Sequence, residues 1–152
     1  MIPTLILLCC LPARPQTTPA RWQEIKDAKA ACQIAVPPDW APLGDNTGAA
    51  VFHDSTTAIA VVTFQPDQEF KPLTPMLLRI MAVPREKMFE NSTTRIFYQE
   101  KTSHKTDDPN AFSASVPAKG GTCSCHLVIL PSVAGDVATK IAQSLVALRD
   151  KP

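Results

Sequence analysis

Between Lys119 and Leu130 the chain reads KGGTCSCHLVIL, which places Cys123, Cys125 and His126 within four residues. Thiolates and imidazoles are the usual ligands of zinc, and paired thiols carry redox exchange, so this cluster is the first candidate for chemistry. A zinc site needs four ligands, commonly drawn from two separated pairs, and no second pair accompanies this one. The other histidines, His53 and His104, fall in different predicted strands or turns. A thioredoxin-type site needs C-x-x-C at a helix start, which is absent here. The local pattern also separates the three groups. In an extended segment successive side chains point to opposite faces, so Cys123, Cys125, Leu127 and Ile129 share one side. Ser124, His126, Val128 and Leu130 share the other. The imidazole then cannot meet both sulfurs around one ion, and no metal is expected.

A disulfide is the alternative use of sulfur. Of the five cysteines, Cys9 and Cys10 lie in an apolar N-terminal segment, leaving Cys32, Cys123 and Cys125. Cys123 and Cys125 would sit about 6.6 Å apart along one strand, at the strained limit for bridging. Cys32, in the predicted strand CQIAV, can meet either of them across a sheet, or all three remain buried thiols that pack as small hydrophobes. A thiol left over in apolar surroundings has a raised pKa and is a poor nucleophile.

Other residues offer less. Trp40, Phe52 and Phe64, with Trp22, form a candidate ligand platform, although aromatics beside strand ends more often close a core. HDS at His53–Ser55 has triad components only in composition, because neighbours in one turn cannot form the relay. GDNTG at Gly44–Gly48 lacks the lysine of a phosphate loop, and Asp107 with Asp108 reads as a turn. NST at Asn91 is a glycosylation acceptor or a helix stop. No G-x-S-x-G elbow is present.

These residues need elements to hold them. RWQEIKDAKAA fits either a short helix or a strand and turn, and CQIAV is a strand ended by Pro37 and Pro38. Ala49–His53 and Ala58–Phe64 read as a hairpin, its second strand apolar on both faces and so placed inside its sheet. LTPMLLRIMAVPREKMFEN predicts a helix capped by Thr74, with Pro75 in the first position and a kink at Pro84. Three strands follow, TRIFYQEKTS, AFSASVP and TCSCHLVIL. Val137, Ile141, Leu145 and Leu148 then outline a closing helix capped by Ser132 or Asp136. The order predicts an α+β fold, an antiparallel sheet flanked by helices on both faces.

The chain has 152 residues, enough for one core, with 15 basic and 14 acidic residues. No basic stripe with interleaved aromatics appears, which argues against nucleic acid. Residues 1–20 form a signal-like apolar segment, Ile2 to Leu11, and a proline-rich spacer; residues 21–152 form a single domain. The apolar run is too short to span a membrane but has the length of a secretory core, so export is expected, with lipid attachment at Cys9 or Cys10 as a further route.

ACQIAVPPDW and IAQSLVAL, together with the element order, resemble the PsbP-like family, whose members include a photosystem II extrinsic protein, a Ran-binding transport factor and bacterial envelope lipoproteins. The likeness covers Cys32 to Leu148. It implies an antiparallel sheet between helices and a non-catalytic binding or assembly role. With export expected, the chain is read as an accessory module for a protein partner in the envelope or extracellular space, and no cofactor is expected. No functional residue carries over. The alternative is a thiol-based redox or metal-binding protein using Cys32, Cys123 and Cys125.

Overall fold

Strands form along the chain where side chains alternate between apolar and polar. The computed structural model describes residues 21–42, 50–54, 58–100, 109–133 and 135–148, with the backbone alone for 50–54 and 135. The signal-like segment, the GDNTG turn, His104, Asp107 and Asp108 lie outside the described residues.

The segment compatible with helix or strand is β1, Gln23–Lys26, which pairs antiparallel with β2, Cys32–Val36. Asp27 explains the choice. Its carboxylate accepts hydrogen bonds from the backbone N–H groups of Lys29 at 3.0 Å, Ala31 at 2.6 Å and Cys32 at 2.7 Å. Such local bonds offer the backbone an alternative to a helix. β10, Val146–Ala147, joins the other side of β2, giving a three-stranded sheet of order β1-β2-β10.

The larger sheet has seven strands: β3, Ala41–Pro42; β4, Ala50–Asp54; β5, Ala58–Pro66; β6, Met88–Asn91; β7, Ile96–Gln99; β8, Asn110–Ala118; and β9, Gly121–Ile129. Their order is β3-β4-β5-β9-β8-β7-β6, with every neighbouring pair antiparallel. β6 to β9 form a meander that returns to β5, so the chain from β5 to β6 must cross from the middle of the sheet to its edge. Helix α1, Pro75–Ile80, lies in that crossing, and α2, Gly135–Ser144, follows β9.

A helix on each face of one sheet was the expectation, and the structure corrects it. The molecule is mostly β. One face of the large sheet is covered by the small sheet together with α2, where Ile34 and Val36 of β2 meet Val62, Leu127, Ile141 and Leu145 in one core. Among the described residues, no helix covers the other face. α1 buries none of its residues.

The reason lies at Ala82 and Pro84. Thr74 caps α1 as expected, its hydroxyl accepting from Leu77 N at 3.3 Å, with Pro75 next. The helix then ends at Ile80 instead of continuing to Met88. Ala82 takes a left-handed φ of 52°, its N–H bonding Arg79 O at 3.1 Å, while Val83 N bonds Leu78 O at 3.2 Å. This paired reversal is a Schellman stop. Pro84 favours it by keeping Val83 out of the helical region. The chain continues through a single 3-10 turn, Arg85–Lys87, into β6, where a helix had been expected. The closing helix is shortened likewise: Val146 and Ala147 leave it to pair with Gln33 and Cys32.

Candidate functional site

β9 is extended from Gly121 to Ile129 and lies between β5 and β8. Its alternation sends Cys123, Cys125, Leu127 and Ile129 into the core, while Ser124 is half-buried and His126 exposed on the opposite face. The cysteine–histidine cluster therefore divides into two neighbourhoods.

On the core side Cys123 is bridged to Cys32, with S–S at 2.06 Å and Cα atoms 5.6 Å apart. The bond ties β2 of the small sheet to β9 of the large one. Cys125 keeps a free thiol that is buried, and burial pushes its pKa up to about 12. The thiolate that exchange or metal binding requires is thereby suppressed. Among the described residues no group of three His, Cys, Asp or Glu side chains is placed to hold a metal ion.

On the open side the register builds a polar strip. His126 lies between Val61 of β5 and Ser113 of β8, and Ser124 lies between Thr63 and Ser115. Ser115 Oγ and Ser124 Oγ are 3.2 Å apart. Ser113 is also opposite Tyr98 of β7. Glu100, just beyond β7, completes the cluster: Ser113 Oγ donates to its Oε1 at 2.6 Å, and His126 Nδ1 is 3.2 Å from the same oxygen. Ser113 Oγ to His126 Nδ1 is 3.4 Å. The Tyr98 pKa is raised, first by burial and further by the Glu100 charge, although its hydrogen bond with Ser113 acts the other way. The phenol thus remains a donor at neutral pH.

Serine, histidine and glutamate together invite comparison with a nucleophilic triad. In a triad the imidazole stands between acid and hydroxyl, using opposite nitrogens. Here one nitrogen and the hydroxyl converge on a single carboxylate oxygen, and the serine proton is directed at Glu100. The arrangement orients donors and acceptors on a surface and does not prepare a nucleophile.

Of the candidate aromatic platform, the side chains of Trp40 and Phe64 are described. Trp40 is buried in the core at 4% exposure, and Phe64 is half-buried with Lys29 Nζ 5.8 Å from its ring centroid. Phe52 pairs with Ala41 and Ile59, but its side chain, like that of His53, lies outside those described. Asn91 uses its carboxamide to clamp Leu73, accepting from Leu73 N at 2.8 Å and donating to Leu73 O at 2.9 Å.

Sequence reasoning missed Glu100, Tyr98 and Ser113 as companions of His126. The alternation of SAS against CSCH held part of the signal, since it puts three serines and the histidine on like-facing positions. The strand register was needed to make them neighbours. No family model matches the chain, and no curated protein matches it. No described helix is long and apolar enough to cross a membrane.

Proposed function

We propose that this chain is an exported, non-catalytic binding or assembly accessory module that engages a protein partner in the envelope or extracellular space. The observation that carries the reading is the asymmetry of the large sheet. One face is sealed by α2 and the small sheet, while the other presents Tyr98, Glu100, Ser113, Ser115, Ser124 and His126 as a partly exposed hydrogen-bonded strip. Strands hold such groups in fixed positions, so a partner can pair with them at little further entropic cost.

Export fits the Cys32–Cys123 bond, because disulfides persist in oxidising compartments. The non-catalytic part rests on the convergence of Ser113 and His126 on one oxygen of Glu100. The thiol-redox or metal reading has less support, since Cys32 and Cys123 are bonded to each other and Cys125 is sealed in its protonated form. The PsbP-like resemblance agrees on a binding role but stands on short motifs.

The test is site-specific photo-crosslinking in the cells of origin, with the reactive side chain at position 124 or, as a control, at Lys140 on the exposed side of α2. A discrete protein adduct from position 124 that is lost with His126→Ala and Ser113→Ala is the expected result. Equal adducts from both positions, or none from position 124, would remove the open face as the binding surface. Reversible turnover of the Cys32–Cys123 bond during function would favour the redox reading instead.

A further inference from the structure

A cleft of about 940 Å³ opens between α1 and the turn that follows it. That volume falls within the ~300–1,000 Å³ of small-molecule sites. Leu78, Val83, Pro84 and Met88 supply an apolar wall, and two bases, Arg79 and Arg85, line the same space. Among the described residues no acid lines it; Glu86, the acid of the turn, stands outside. Neither guanidinium has an ion-pair partner among the described carboxylates.

The backbone that carries these groups is fixed, although α1 buries none of its residues. Asn91 clamps Leu73 just before the helix, and Thr74 caps the first turn. At the other end Ala82 N bonds Arg79 O and Val83 N bonds Leu78 O, which returns Val83 toward Leu78. Lys87 N then bonds Pro84 O at 2.9 Å and holds the 3-10 turn that bears Arg85.

Two unpaired guanidiniums lining one cleft favour an anion, and their planar forks suit carboxylate or phosphate oxygens. The wall beside them favours a ligand with a hydrocarbon part. A bare inorganic anion would leave that wall wet, and a neutral apolar molecule would leave both charges unanswered.

We propose that this cleft binds a small amphipathic organic anion, its carboxylate or phosphate taken by Arg79 and Arg85 and its hydrocarbon part by Leu78, Val83 and Met88. The site shares no residue with the polar strip of the large sheet, so it stands whether or not that strip engages a protein.

The full chain, labelled at its Leu, Val and Met methyl groups, is titrated by NMR with octanoate and with octyl phosphate below their micelle concentrations. Octanol is the neutral control. Shifts resolved at Leu78, Val83 and Met88 separate the cleft from any binding to the N-terminal apolar run. Both anions are expected to move these methyls, with octanol about tenfold weaker. The tighter anion identifies the headgroup as carboxylate or phosphate. Arg79→Gln/Arg85→Gln is expected to weaken both anions about tenfold and leave octanol and the melting temperature unchanged. If that variant fails to fold, the parent decides, because raising sodium chloride from roughly 0.05 to 0.5 M should weaken octanoate and not octanol. Unmoved methyls, octanol as tight as octanoate, or anion binding indifferent to both the variant and salt would overturn the proposal. Inorganic phosphate as tight as octyl phosphate would reduce the cleft to an adventitious ion only. Tighter binding of the acidic peptide acetyl-Glu-Leu-Glu-amide than of either anion would make the occupant a protein segment and overturn it too.

Discussion

At Cys125 the surroundings decide what sulfur can do. Its neighbours are apolar, the thiol is buried, and the ionised form is disfavoured until pH about 12. This has a consequence for stability. Between an ordinary thiol value of about 9 and the folded value of about 12, the unfolded chain has lost a proton that the native chain retains. The unfolded state therefore gains on the native one as pH rises through that interval, by up to ~1.4 kcal/mol per pH unit. Below about pH 9 the group contributes no slope. Urea titrations of the parent and of Cys125→Ala between pH 7 and 11 should show a steeper alkaline decline in the parent. Parallel profiles would mean that solvent reaches the thiol. Arg95 is a second residue whose surroundings define it. Its guanidinium donates to Ala142 O at 2.7 Å and Leu145 O at 3.0 Å, closing the C-terminal end of α2 from the neighbouring sheet. Replacing it with alanine should cost about 1.5–3 kcal/mol by chemical denaturation. Lysine should recover only part of this, because a single ammonium does not reproduce the fork.

At the scale of elements, α1 shows how a helix signal is cut short. The Thr74 cap and Pro75 were readable, and both stand as expected. Its end was not readable, because Ala82 occupies the left-handed position where glycine is the usual residue. A Cβ there costs roughly 1–2 kcal/mol, partly offset by the greater freedom of glycine in the unfolded chain. Ala82→Gly should therefore stabilise the protein by about 0.5–1 kcal/mol, seen as a higher denaturation midpoint. An unchanged or lower midpoint would show that the helix stop is fixed by Pro84 alone. The same contrast runs through the rest of the chain. β9 was legible because CSCHL alternates, VI continues it with β-branched residues, and GG precedes it. β6 was not, since MFEN follows an apolar run at helical spacing. β10 has only two residues, and its strand character comes from β2, which lies far away in sequence. For the polar strip, face assignment was legible while adjacency was not, because strand order depends on contacts that no local pattern encodes.

Over the whole molecule, stability depends on how the two sheets are joined. The small sheet has only eleven residues in its three strands, Gln23–Lys26, Cys32–Val36 and Val146–Ala147, and such a sheet is marginal alone. It is held by packing of Ile34 and Val36, by Ser144 Oγ accepting from Ala35 N at 2.8 Å, and by the Cys32–Cys123 bond. That bond joins residues separated by 91 positions, so it removes a long loop from the freedom of the unfolded chain. Its loss in Cys32→Ala/Cys123→Ala should cost about 2–5 kcal/mol and lower the melting temperature by on the order of 10 °C. Unfolding should also become uneven. Without the bond, amide exchange in β1 and β2 should rise toward that of a separate unit, while β5, β8 and β9, interior to the seven-stranded sheet, keep their protection. Exchange that accelerates equally in all five strands would show that the sheets unfold as one body and that core packing, not the disulfide, couples them.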